Sequence, residues 1–153
     1  MALYLVQHGE AYSEQEDPQR GLTPAGTSDV ERIAGVAAGY GVRVGRIVHS
    51  GKRRAVQTAH ILARHMAPAQ GVETMAGIGP TDDVLPVAAG LDPSPDLLIV
   101  GHLPFLEHLA TLLVTGHQGK RVFRFQNGGI VCLDHDEQQG GWVIRWALMP
   151  RIG

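Results

Sequence analysis

Three short apolar runs, Ala2–Gln7 (ALYLVQ), Arg46–His49 (RIVH) and residues 96–101 (DLLIVG), each stop at a polar turn and are each followed by apolar residues at helical spacing. That repeat constrains the fold more than any other feature. Strand–turn–helix units in series build a mainly parallel sheet with helices on both faces, and such sheets take ligands at the carboxyl ends of their strands. The first helix is expected from Thr23, an N-cap residue before Pro24 at the first helical position, with Val30, Ile33, Ala34 and Ala37 inward. The second spans 52–66 through Ala55, Ala59, Leu62 and Met66. The third starts near Pro104 and carries Phe105, Leu106, Leu109, Leu112 and Leu113. Residues 129–135 and 142–150 alternate apolar and polar around the turn-rich DEQQGG, which predicts a C-terminal hairpin with Trp142 and Trp146 in the core. The expected fold is α/β: a three-layer α/β/α sandwich with a mainly parallel mixed sheet, in one domain over residues 1–153. At 153 residues a single core suffices, since a chain of that length buries roughly 68–70% of its unfolded surface.

Bulk properties exclude several classes of function. A formal net charge of −2 gives no general attraction to nucleic acid, so any phosphate recognition must come from a local pocket. No apolar run approaches the roughly 20 residues of a membrane helix. The single cysteine, Cys132, has no internal disulfide partner, and the N-terminal residues show no secretory leader, so a cytoplasmic location is expected. His60 and His65 are five apart on a helix, a spacing that does not put two ligands on one face, and neither a metal nor a cofactor is expected.

The reactive residues cluster where strands end: Gln7-His8-Gly9-Glu10, Ser50-Gly51-Lys52-Arg53-Arg54 and Gly101-His102. One histidine among eight carries little meaning, but two at neighbouring strand ends do. The predicted sheet puts His8 and His102 on one edge, with Arg54 near the start of a helix to donate charge-assisted hydrogen bonds to a dianion. A neutral imidazole is a competent nucleophile toward phosphorus if one nitrogen is free and the other gives its proton to a fixed acceptor. Gly9 is expected to let the backbone approach the phosphate.

These motifs resemble the histidine phosphatase superfamily. Its first strand ends in Arg-His-Gly, matched by Gln7-His8-Gly9. Its next helix opens with Leu-Thr-Xaa-Xaa-Gly, matched by Leu22-Thr23-Pro24-Ala25-Gly26. Its second strand ends in Ser-Xaa-Xaa-Xaa-Arg-Ala-Xaa-Gln-Thr, matched from Ser50 through Arg54 to Thr58, and its second histidine matches His102. Within the superfamily, the short chain and the His-Leu-Pro at 102–104 are most similar to SixA-type phosphohistidine phosphatases. The resemblance implies an open site, because 153 residues leave no room for the capping segments of larger relatives.

It further implies a phosphatase in which His8 takes up the phosphoryl group, with His102, Arg54 and Asp83 as the other catalytic residues and Gln7, Gly9, Ser50, Arg54 and His102 binding substrate. Asp83, ahead of a short apolar helix, is the expected proton donor, although Asp82 fits an N-cap; Glu10 is expected to line the loop. The implied partner is a phosphorylated protein, a histidine-containing phosphotransfer domain among the candidates, or a small phosphomonoester. One departure matters: Gln7 stands where the family has arginine, and an amide brings neither charge nor a guanidinium fork. The rival expectation is therefore a catalytically weak or silent phospho-ligand-binding module.

Overall fold

Successive residues of a strand face opposite sides of its sheet, and in this chain both sides are apolar, so the sheet is buried on both faces. The computed structural model describes residues 2–92 and 96–152. Among them the elements run β1 (Ala2–Gln7), α1 (Pro24–Gly39), β2 (Arg46–His49), α2 (Arg53–Met66), β3 (Val72–Thr74), α3 (Leu85–Gly90), β4 (Leu97–Gly101), α4 (Phe105–Thr115), β5 (Ile130–Asp136) and β6 (Gly141–Leu148). The sheet order is β3-β2-β4-β1-β5-β6. The first four of these are parallel, whereas β5 is antiparallel to β1 and pairs with β6 as a hairpin. The predicted mixed, mainly parallel sheet is the one observed.

Tyr4, Val6, Ile47, Leu98 and Val100 pack against α1 and α2 on one face, and Leu3, Leu5, Val48 and Ile99 pack against Phe105, Leu106 and Leu109 of α4 on the other. β1 and β4 lie side by side in the middle, buried almost throughout. That burial fixes the positions of the two strand ends that carry His8 and His102.

Helix α1 starts where expected. Thr23 Oγ1 accepts the Gly26 N–H at 2.9 Å, and Pro24 occupies the first turn, where a missing N–H costs nothing. Gly26 has a second duty, because a Cβ there would come within 2.2 Å of the Glu10 carbonyl oxygen. The helix start is thus pressed against the loop that leaves β1.

The sequence reading missed two features. Strand β3 has three residues, none fully buried, and exists only through its ladder to β2. In the hairpin, Cys132 pairs with Trp146 but Leu133 with Ile144, leaving Arg145 as a bulge. The bulge reverses the facing of the strand: Trp142 and Ile144 pack with the α4 side, Trp146 and Leu148 with the α1 side. Uninterrupted alternation would have put both tryptophans on one face. No helix among the described residues is long and apolar enough to cross a membrane.

Candidate active site

The β1–β4 ladder continues one residue past the end of β1, with the His8 N–H donating to the Gly101 carbonyl at 3.1 Å. Parallel pairing in that register sets His8 and His102 next to each other, their ring centroids 5.0 Å apart. On the other side of β4, β2 ends at His49 and delivers Ser50, whose Oγ lies 2.6 Å from His102 Nε2. Arg54, in the first turn of α2, is buried and directs its Nε–H to His8 Nε2 at 3.3 Å. The structure therefore brings together His8, His102, Arg54 and Ser50 from three strand ends and a helix start.

The residues around the motifs stitch these pieces to each other. Thr58 Oγ1, fully buried, accepts the Gly9 N–H at 3.0 Å and donates to the Arg54 carbonyl at 2.8 Å, so one hydroxyl couples the loop after His8 to the turn that carries Arg54. Gln57 Oε1 accepts the Leu22 N–H at 2.8 Å. Asn127, in the turn before β5, donates to the His8 carbonyl at 2.9 Å, and the next N–H, of Gly128, bonds the Gln7 carbonyl at 2.8 Å.

His8 is held in one tautomer. Its Nδ1 is 2.7 Å from the Gly9 carbonyl, which can only accept, so Nδ1 carries the proton and Nε2 presents its lone pair toward Arg54. Burial, followed by the repulsion of Arg54 and Arg20 and only partly offset by the Gly9 bond, pushes the His8 pKa down to about 4. His102 is lowered further, to about 3, by burial first and then by the charges of His8, Arg54, Lys52 and Arg20. Both imidazoles are neutral at pH 7.

That depression has a consequence for stability. The unfolded chain takes up protons on these histidines near pH 6.5 while the folded chain refuses them down to about pH 3–4, so the unfolded state gains as pH falls through that window. The urea midpoint is expected to drop between pH 7 and pH 5, and His8→Gln/His102→Gln should narrow the drop. An equal pH effect in wild type and double variant would show that neither histidine is held neutral by the fold.

A cavity of about 410 Å³ opens at these strand ends, lined by Gln7, His8, Glu10, Ala11, Arg20, Arg54, Pro80, His102, Leu103 and Asn127. Two buried side-chain atoms among the described residues lack a hydrogen-bond partner, Gln7 Oε1 and His102 Nδ1, and both belong to residues of this cavity. Unsatisfied buried polar atoms are rare in proteins.

Three expected site residues sit differently from the sequence reading. Gly9 does not line the cavity; a Cβ there would lie 2.8 Å from Val30 Cγ2, so this glycine is required by packing against α1. Ser50 reaches the cavity through His102. Asp83 is exposed, accepts the Leu85 N–H at 3.0 Å at the start of α3, and lines a separate groove of about 550 Å³ with Asp82, Met75 and Pro86. The structure does not bring it to the His8 cavity. Conversely, Arg20 and Asn127 line the cavity and were not singled out. The signal for Arg20 was a lone cation closing a polar loop just before Leu22-Thr23; for Asn127 it was an Asn-Gly-Gly turn entering a strand that neighbours β1.

The chain matches no protein-family model. It is 25% identical to the protein histidine phosphatase SixA, solved with tungstate, with 98% of this chain and 97% of that chain covered and a TM-score of 0.84. In fold and in its site motifs the chain is similar to the histidine phosphatase superfamily. A protein assigned as phosphohistidine phosphatase SixA in Agrobacterium tumefaciens shares the fold, with a TM-score of 0.79, 23% identity and 98% of each chain covered. The mitochondrial serine/threonine-protein phosphatase PGAM5 of Mus musculus is 29% identical over 94 residues, 61% of this chain. The chain spans about 30% of the length of that relative. Gln7, the departure noted among the motifs that carry the resemblance, lines the cavity.

Proposed function

We propose that this domain is a phosphatase that hydrolyses phosphohistidine in a protein through a covalent intermediate on His8. The observation that carries the reading is the locked imidazole: Nδ1–H is committed to the Gly9 carbonyl, and an unprotonated Nε2 opens on a cavity that also holds Arg54. Attack of the Nε2 lone pair on phosphorus breaks the bond to the leaving group, which departs with its electron pair and takes a proton. Water then attacks the phosphohistidine, releases inorganic phosphate and restores neutral His8. Arg54 and His102 hold the phosphoryl oxygens while charge shifts between the attacking and leaving atoms. Ser50 fixes the His102 ring.

Two features favour a phosphohistidine substrate. The P–N bond is labile and an imidazole leaving group needs less acid assistance than an alkoxide, which suits a cavity that Asp83 does not enter. The likeness to SixA, a protein histidine phosphatase that takes tungstate, a tetrahedral oxyanion, points the same way. Phosphorylated protein segments, a histidine-containing phosphotransfer domain among them, are the substrates we assign first and small phosphomonoesters second. The test is an alkali-quenched reaction with a ³²P-labelled phosphohistidine protein, resolved under denaturing alkaline conditions that preserve phosphohistidine. Label bound covalently to wild type and absent from His8→Ala supports the reading, whereas release of all phosphate on denaturation identifies a silent binding module.

That rival reading rests on Gln7 alone, and one variant separates the two. An arginine at this cavity-lining position adds a charge-assisted contact to a phosphoryl oxygen. Gln7→Arg is expected to tighten phosphate binding and raise turnover by about tenfold, the equivalent of about 1.4 kcal/mol expressed in the transition state. Tighter binding with no turnover in either protein would favour the silent module.

A further inference from the structure

Resting on the phosphoryl-transfer reading above, we infer that Arg20 supplies the second guanidinium of the phosphate pocket, delivered by the β1–α1 loop in place of the charge that Gln7 does not bring.

The backbone argues first. Arg20 has φ of 50°, in the left-handed region that residues with side chains seldom enter. The loop is bonded to keep it there. The Arg20 N–H donates to the Asp17 carbonyl at 2.8 Å, Tyr12 N–H to Gly21 carbonyl at 2.9 Å, and Ala11 and Leu22 form an isolated bridge. The Asp17 carboxylate receives the N–H groups of Gln19 and Gly21 at 3.0 and 2.9 Å. A turn over-determined to this extent around a strained residue fixes the direction of its side chain.

The side chain argues second. Arg20 lines the cavity with Gln7, His8, Arg54 and His102, and its Nε–H is tied to the Tyr12 carbonyl at 3.2 Å. No carboxylate pairs with it, and its terminal nitrogens have no hydrogen-bond partner, among the described residues. Most arginines of this chain that point along the surface do find a carboxylate or carbonyl; this one keeps its fork open beside two neutral imidazoles. Its charge is also felt at the reacting groups, since it contributes, after burial, to the lowered proton affinity of His8, Arg54 and His102. A bound phosphoryl dianion reverses the sign of that interaction and turns the repulsion among the cations into shared attraction for the ligand. Gln7 on the strand and Arg20 on the loop therefore divide what a single arginine on the strand would do: the amide fills the floor and the loop brings the charge.

The experiment follows binding of inorganic phosphate by calorimetry and hydrolysis of a phosphohistidine peptide in wild type, Arg20→Gln, Arg20→Gly, Gln7→Arg, Gln7→Arg/Arg20→Gln and Arg54→Ala. Arg20→Gln should weaken phosphate binding by about tenfold to a hundredfold, as expected for loss of a charge-assisted contact. Arg20→Gly, which adopts the left-handed backbone without strain, should lose as much. The double variant should recover most of the loss, and Gln7→Arg should gain more affinity in the Arg20→Gln background than in wild type, because the two charges serve one ligand; if Arg20 merely braced the loop, the gain from Gln7→Arg would be the same in both backgrounds. Unchanged phosphate affinity in both Arg20 single variants, a loss that Gln7→Arg leaves unrepaired, or an equal gain from Gln7→Arg in both backgrounds would overturn the inference. If only the Arg20 variants are silent while Arg54→Ala abolishes binding, Arg20 alone has been misassigned; if Arg54→Ala is silent as well, the pocket itself has been.

Discussion

His8→Ala is expected to remove turnover almost entirely, by about a thousandfold or more, as losses of covalent nucleophiles generally do. The reason is geometric as well as chemical. No other described side chain presents a neutral nitrogen to this cavity with its second nitrogen committed to a backbone carbonyl: His102 has its Nε2 against Ser50 and its Nδ1 buried. The substitution should leave the fold intact, because the hydrogen bonds that hold this turn use the backbone of residues 8 and 9, with Gly101, Asn127 and Thr58 as partners. The variant should still bind phosphate through Arg54, so calorimetry and turnover are measured on the same protein. Hydrolysis at more than a few per cent of wild type in a protein that still binds phosphate would remove His8 from the mechanism.

The second large effect is expected at Arg54. Arg54→Ala should lower affinity for both phosphate and vanadate and cut turnover by about a hundredfold or more, since a charged donor aimed at the transferring group acts most strongly in the transition state. Arg54→Lys keeps the charge but not the planar fork, nor an Nε–H that reaches His8 Nε2, and should recover only part of the loss. Arg54 is also the carbonyl partner of Thr58, but that bond uses its backbone, which either substitution preserves. Equal anion affinity in wild type and Arg54→Ala would place the phosphate elsewhere.

The parts of this molecule that were readable in the sequence are those written in local patterns. The run Leu3–Val6, short and ending at a polar turn, reads as a strand buried on both faces, and Thr23-Pro24 reads as a helix start, so the delivery of His8, Arg54 and His102 to one edge followed from periodicity and turn chemistry. The unread parts depend on contacts between distant segments. β3 is a strand because β2 lies beside it, and Arg145 bulges because the two ends of β6 face different helices. Arg20 enters the cavity through a left-handed backbone that its own side chain disfavours, and Asn127 caps the His8 carbonyl from 119 positions away. Asp83 carried an aspartate-before-helix pattern, and the structure gives that pattern a turn hydrogen bond from the Leu85 N–H and a neighbouring groove.

The bulge at Arg145 bears on how these molecules tolerate one another at high concentration. β6 is the outermost strand on its side, eight residues long, and a regular strand of that length offers an unbroken ladder on which a foreign strand can grow. The slip between Cys132 and Leu133 divides that ladder into two short segments out of step, and Arg145 stands between them with 64% of its side chain exposed. An incoming strand that matches one segment is misaligned with the other and meets a cation at the junction. The irregularity that steers one tryptophan to each face of the sheet thereby also guards its rim against fibrous self-association.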